Sequence, residues 1–213
     1  YLGLARSPAL SVAVEQETAL RPRNLNGYGS TGSRLLSGNT VYAQDLEEKI
    51  AHFHGYEAGL LFNCGYMANV GLLSAVAGPD DVIFFDSRVH ASMHDGIRLS
   101  QSNAFPFKHN DLNHLESRLK SSKSPGRKFV CIESIYSTDG SKAPLKGICE
   151  ITDRHGACLI VDEAHAVGVH GVDGQGLVAE EDLIAHVFAQ VSTFGKALGV
   201  FGAVVLGSHA LKR

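Results

Sequence analysis

Ala157-Cys158-Leu159-Ile160-Val161-Asp162-Glu163-Ala164-His165 is the stretch whose reading decides the fold. It opens with a short unbroken run of small and apolar side chains and ends on two carboxylates and an imidazole. Such a run, without polar alternation, is the pattern of a strand covered on both faces, as in a parallel sheet. The aspartate at its end is a charge leaving the core, which is costly unless something pairs it.

The pattern recurs on both sides. Residues 58–62, 82–85, 104–107, 129–133, 186–191 and 201–206 read as further strands. Helical spacing falls between them at 41–54, at 90–100, at 111–121 and at 145–155. Another helix starts in the turn Asn63-Cys64-Gly65-Tyr66 and runs to about residue 77. Residues 7–21 read as a helix with Ser7 as cap and Pro8 in its first turn. Residues 23–39 form a Gly/Ser/Asn-rich loop, and Ser137-Thr138-Asp139-Gly140 a turn.

Strands alternating with helices imply an α/β fold, a mostly parallel sheet with helices on both faces. Ligands in such sheets bind beyond the carboxyl ends of the strands. Gly65, His90, Ser137, Asp162 and Thr193 each lie at or shortly after such an end. The topology is therefore expected to gather them on one edge.

Composition narrows the partners. The chain has 213 residues, 44% hydrophobic and 19% charged, which is ordinary for a globular core. A formal net charge of -3 gives no basic surface for nucleic acid or an anionic membrane. No apolar run reaches the roughly 18 residues a membrane helix needs. Cys64, Cys131, Cys149 and Cys158 contain no C-x-x-C pair, and Cys131 and Cys158 sit in strand-like runs as small buried hydrophobes. Reduced thiols and a cytoplasmic location are expected. The start, Tyr1-Leu2-Gly3-Leu4-Ala5-Arg6, reads as the inside of a longer chain rather than as a leader or translation start.

Lys196, in Ser192-Thr193-Phe194-Gly195-Lys196-Ala197-Leu198-Gly199, is the prime candidate for chemistry. Small neighbours leave room for a cofactor ring, and a buried lysine amine can be neutral enough to form a Schiff base. Alone, a Gly-Lys pair is an ordinary surface turn. Asp162 upstream could pair with a protonated ring nitrogen, as pyridoxal phosphate requires, or could simply cap the next turn. His165 could hydrogen-bond a phenolic oxygen of the same ring, or be a satisfied turn histidine. The helix opening at Gly65 and Tyr66, with the Thr193 hydroxyl, could hold a phosphate. No G-x-x-x-x-G-K-[ST] occurs, so a nucleotide P-loop is excluded. His90 and His94 lie four apart, but the glutamate of H-E-x-x-H is missing. No metal is expected; a ring-stacking His90 and a solvated His94 are.

Taken together these residues resemble the α-oxoamine synthases, fold-type I pyridoxal-phosphate enzymes that join an amino acid to an acyl-CoA thioester. The resemblance is carried by Tyr28-Gly29-Ser30-Thr31-Gly32-Ser33-Arg34-Leu35-Leu36-Ser37-Gly38-Asn39 and Leu46-Glu47. It continues through Phe62-Asn63-Cys64-Gly65-Tyr66-Met67-Ala68-Asn69, His90-Ala91-Ser92 and Tyr136-Ser137-Thr138-Asp139-Gly140. Asp162-Glu163-Ala164-His165, with Gly168 and Gly171, and Thr193-Phe194-Gly195-Lys196-Ala197 complete it. Two positions depart from the pattern: Ala43 stands where many relatives have His, and Cys64 where Ser is usual.

The resemblance implies that Lys196 carries pyridoxal 5'-phosphate covalently and later takes the substrate α-proton. It implies Asp162 at the ring nitrogen, His165 at the ring oxygen, and a catalytic His90 stacked on the ring. Ser137 would contact the cofactor, while Gly65, Tyr66 and Thr193 hold its phosphate. The implied substrates are an amino acid and an acyl-CoA; in the biotin-synthesis branch these are L-alanine and a pimeloyl-type thioester, which give an amino ketone with loss of carbon dioxide. Glycine-using branches are the alternative. A homodimer with sites at its interface is implied. So is a division in which residues 1–213 form the large cofactor domain. The N-terminal segment and small C-terminal domain, the latter with a carboxylate-binding arginine, would lie outside it.

Three rivals remain for test. Leu159 to His165 resembles a DEAH helicase box, but no Walker lysine or basic patch accompanies it. A catalytically inactive relative would not need Lys196, Asp162 and His165. A generic aminotransferase lacks a reason for the His90-Ala91-Ser92 and Ser37-Gly38-Asn39 matches.

Overall fold

In the computed structural model, which describes residues 1–20 and 29–213, the alternating pattern forms one seven-stranded sheet. Its strands are β1 (Ala58–Phe62), β2 (Val82–Asp86), β3 (Asn103–Phe107), β4 (Lys128–Glu133), β5 (Ala157–Asp162), β6 (Ala189–Thr193) and β7 (Ala203–Gly207). The helices are α1 (Pro8–Leu20), α2 (Val41–His54), α3 (Gly65–Val76), α4 (Ala91–Ser100), α5 (Leu112–Ser121) and α6 (Leu145–His155), with two single turns, α7 (Leu177–Glu180) and α8 (His209–Lys212). The spatial order is β1-β7-β6-β5-β4-β2-β3. The pairings among β3, β2, β4, β5 and β6 are parallel, and β7 alone runs against both of its neighbours.

Strand alternation divides the core in two. Val82, Phe84, Val130, Ile132, Leu159 and Val161 face one side, with Leu115 of α5 and Ile148 of α6. Ile83, Phe129, Cys131 and Ile160 face the other, against Leu72 of α3 and Met93 of α4. Both faces of β4 are buried completely from Phe129 to Ile132. Each such side chain contributes about 1.5–3 kcal/mol of burial free energy, which is why the central strands read as unbroken apolar runs.

The helix signals act as the sequence suggests. Thr40 caps α2 by accepting from the Ala43 N–H, and Gly55 ends it at φ 78°, a left-handed conformation that glycine adopts freely. Ser7 accepts from the Leu10 N–H at the start of α1, although no side chain of α1 is buried. Residue 21 of the expected first helix, and residues 23–28 of the expected loop including Tyr28, lie outside the described residues.

Some boundaries move. The strand expected at 186–191 begins at Ala189, where pairing with both β5 and β7 starts. Residues Ile184–His186 instead form a 3-10 turn, and the His186 ring holds Asp153 of α6 at 2.6 Å. The last strand begins at Ala203 rather than 201, since Phe201 is fully exposed. Cys131 is buried, whereas Cys158 is only half-buried.

Candidate active site

The carboxyl ends of β2, β4, β5 and β6 open into a cleft of about 310 Å³. Alternation decides what enters it. Ile160 faces the α3–α4 side, so Asp162, two residues on, does too, while Val161 and the next residue, Glu163, turn to the opposite face. Glu133 follows Phe129 and Cys131 onto the cleft side in the same way. Thr193 and Lys196 come from the end of β6, and Gly65 and Tyr66 from the start of α3.

Asp162 is 5% exposed, and among the described residues its carboxylate is held by neutral donors only. Oδ1 accepts from the Ala164 N–H at 2.9 Å, and Oδ2 from Asn69 Nδ2 at 2.8 Å. The Lys196 side chain is half-buried in the same cleft, and its amine makes no hydrogen bond or ion pair with another described residue. Burial, and then the Lys196 charge, holds the His165 imidazole below its ordinary pKa. Its Nδ1 meets the Tyr1 hydroxyl, a contact with no precursor in the sequence reading.

Burial, reinforced by the Asp162 charge, pushes the Glu133 carboxyl up to about 7; burial takes Glu163, on the opposite face, to about 7 as well. A carboxyl raised in this way binds its proton more tightly folded than unfolded. Its contribution to stability is complete below the ordinary carboxylate range and is lost as pH rises through about 7. The expected result is a cofactor-free protein whose unfolding free energy drops between about pH 5 and about pH 8, with a smaller drop in Glu133→Gln. Chemical denaturation at the two pH values checks it; identical drops would remove Glu133 as a contributor.

At the other end of the cleft, α3 begins without a side-chain cap: Cys64 supplies none. The first N–H groups of a helix have no intrahelical partner, and with the dipole they favour an anion. Beside them the Thr193 hydroxyl oxygen is buried and unpartnered. Gly65 is pressed so close to this threonine that an added Cβ would stand 2.4 Å from its Cγ2. Gly65→Ala is therefore expected to cost about 1–3 kcal/mol by overpacking and to weaken inorganic phosphate binding. Thermal unfolding and a phosphate titration together test this.

Most of the residues singled out from the sequence meet here. Gly65, Tyr66, His90, Asp162, His165, Thr193 and Lys196 all line the cleft. The Tyr66 ring stands edge-on to His90, with centroids 6.4 Å apart, and its hydroxyl bonds Asp95. Ser137 is not among the lining residues: it is exposed, and its N–H donates to Glu133 at 3.1 Å. The turn that carries it is tied down by His109, which bridges buried Asp86 (3.1 Å) and Ser141 (2.9 Å). The solvated His94 expected from spacing is half-buried instead, edge-on to Phe85 at 5.1 Å. Asn69, Ser92 and Glu133 were missed. The signal for Glu133, a carboxylate ending a buried strand, is the same one that exposes Asp162.

An α/β sheet of this order, with a lysine turn after β6 and an aspartate ending β5, is the fold-type I architecture. The chain belongs to the aminotransferase class I and II family, whose pattern it matches over residues 1–213. A putative 8-amino-7-oxononanoate synthase of Bacillus licheniformis is 44% identical over 211 residues, 99% of this chain and 54% of that protein. A lysine-to-alanine variant of serine palmitoyltransferase from S. paucimobilis, solved with a PLP–myriocin adduct, superposes with TM-score 0.88 at 32% identity, over 98% of this chain and 51% of that one. The 8-amino-7-oxononanoate synthase of Francisella tularensis gives TM-score 0.80 at 32% identity, over 100% and 57%. The chain thus spans about half the length of the curated relatives it matches. Among the described residues, no helix is long and apolar enough to cross a membrane and no cluster could hold a metal ion.

Proposed function

We propose that this chain holds pyridoxal 5'-phosphate and forms part of an α-oxoamine synthase. In this reading it joins L-alanine to a pimeloyl-type acyl-CoA, releases carbon dioxide and gives an amino ketone for biotin synthesis. The observation that carries the reading is a Lys196 amine without a hydrogen-bond or ion-pair partner among the described residues, in one cleft with a buried Asp162 that no described cation pairs.

The residues present fit this cofactor. The uncapped start of α3 and the orphaned Thr193 hydroxyl suit its phosphate. The Asp162 carboxylate suits a protonated ring nitrogen, and the Lys196 amine suits its aldehyde. When bound, pyridoxal phosphate supplies an electron sink for the amino acid's α-carbon. Lys196 would hold the cofactor through its amine, and Nζ is the atom that would accept the substrate α-proton. Asp162 would hold the ring nitrogen's proton, and His165 would meet the ring oxygen. His90 would stack on the ring and border the substrate, and Tyr66 would help hold the phosphate. The names of the two oxononanoate synthases support this substrate pair; the serine palmitoyltransferase likeness keeps other amino acids and longer acyl chains in the test. A homodimer in the cytoplasm belongs to the same reading.

The test is an absorbance titration of the purified protein with pyridoxal phosphate, borohydride reduction and peptide mapping. A visible band trapped on Lys196 is the expected result, and absence of both band and adduct would end the reading. Turnover with L-alanine and pimeloyl-CoA, compared with glycine or serine and other acyl-CoAs, then decides the substrates. An adduct without turnover on any pair would mark an inactive relative.

A further inference from the structure

We propose that Asn69 and Ser92 are positioning residues that couple Asp162 to His90, fixing the aspartate's orientation and the histidine's tautomer through one hydrogen-bond chain. Its role in catalysis rests on the cofactor reading above; its geometry does not.

The chain is built by two crossing helices. Asn69 lies on α3 and Ser92 in the first turn of α4. Gly96 lets the helices approach: a Cβ there would stand 2.9 Å from the Asn69 carbonyl oxygen and 2.9 Å from Leu73 Cβ. The two polar side chains are consequently sealed, Asn69 at 2% exposure and Ser92 at 1%.

Proton positions follow from donor and acceptor capacities. An ionised carboxylate only accepts, so the Asn69 atom 2.8 Å from Asp162 Oδ2 must be the amide nitrogen. Its second hydrogen goes to Ser92 Oγ at 3.0 Å. That hydroxyl, already accepting, directs its own hydrogen to His90 Nδ1 at 2.8 Å, and the Ser92 N–H points to the same nitrogen at 3.2 Å. Nδ1 therefore carries no proton, and the His90 ring is neutral with its hydrogen on Nε2.

Two features mark this as more than core satisfaction. Every link is uncharged, so Asp162 is held without losing its charge, whereas a lysine or arginine in place of Asn69 would cancel it. The Asn69 carbonyl oxygen Oδ1 is left buried and unpartnered. A buried acceptor without a donor is costly, and an amide selected for stability alone would not be oriented that way.

The test has two readouts. In cofactor-free protein, long-range proton–nitrogen NMR is expected to show His90 as the Nε2–H tautomer. Asn69→Leu should release the Ser92 hydroxyl and give a tautomer mixture at His90, although the two side chains share no bond. Ser92→Ala, which leaves only the backbone N–H of residue 92 on Nδ1 at 3.2 Å, should also raise the Nδ1–H share, while Ser92→Thr restores the wild-type signal. With cofactor, Asn69→Leu should weaken pyridoxal phosphate binding about tenfold and shift the pH at which the visible band titrates. An Nδ1–H tautomer in the wild type, or an unchanged tautomer in both folded variants, overturns the proposal. If Asn69→Leu does not fold, Ser92→Ala against Ser92→Thr decides alone. A wild type that takes up no cofactor would sink the functional reading, yet the NMR arm would still judge the chain.

Discussion

Lys196→Ala is expected to fold normally, to give no borohydride-fixed adduct and to lose at least about a thousandfold in turnover. The fold is spared because the amine has no structural work. The Lys196 amine has no hydrogen-bond or ion-pair partner among the described residues, while the backbone carbonyl accepts from the Gly199 N–H at 3.2 Å and the neighbouring Ala197 is buried. A surface-like truncation of this kind changes stability by about 0.5 kcal/mol or less. The chemistry is lost because, among the described residues, no other lysine lines the cleft to bind an aldehyde or take an α-proton.

Lys196→Arg separates charge from chemistry, since a guanidinium keeps the cation but does not give up its proton. Arginine should leave His165 depressed, as its neighbour's charge persists; alanine should let it rise toward its ordinary value. Both should fail to form the adduct. An adduct surviving in either variant would move the reactive lysine elsewhere and take the synthase reading with it.

Why Lys196 and Asp162 could be found from sequence, and Asn69 and Ser92 could not, has a physical cause. A charged residue directly after a short apolar run is visible as a string, because burial of both strand faces makes the run unbroken up to the ligand edge. Asp162 follows Cys158 to Val161 in this way, and the turn to Lys196 follows the buried residues Ala189 to Ser192. Asn69 and Ser92 gain their meaning only where α3 crosses α4, and that crossing depends on the missing side chain of Gly96. Helical spacing does not report which neighbour a helix meets. Strand direction is equally silent in the string: β7 reads like its neighbours but runs against both. Ser137 was placed by its position after a strand; it lies next to the cleft, with its N–H on the lining Glu133, and the residues after it are tied by the Asp86–His109–Ser141 bridge.

Asp162→Asn is expected to keep the fold and to reduce both cofactor affinity and turnover, the latter by about 10²–10⁴. The charge that would hold a protonated ring nitrogen is gone, but the neighbours amplify the change. The Ala164 N–H requires an oxygen at the Oδ1 position, so the new amide must turn its NH₂ toward Asn69 Nδ2. Donor then faces donor, and Asn69 relieves the clash by flipping. Its orphaned oxygen gains a partner, and the Ser92 hydroxyl now donates to Asn69 instead of to His90 Nδ1. One substitution should thus remove the ring's counter-charge and change the His90 tautomer together. It should also lower the Glu133 carboxyl toward its ordinary range, because the Asp162 charge helps to hold it up. Asp162→Glu keeps the charge and should retain more affinity than Asn despite its extra methylene. A cofactor titration, the His90 tautomer and the pH profile of the visible band read these effects separately. Wild-type affinity in Asp162→Asn would leave the aspartate as a turn cap, the plainer of its two sequence readings.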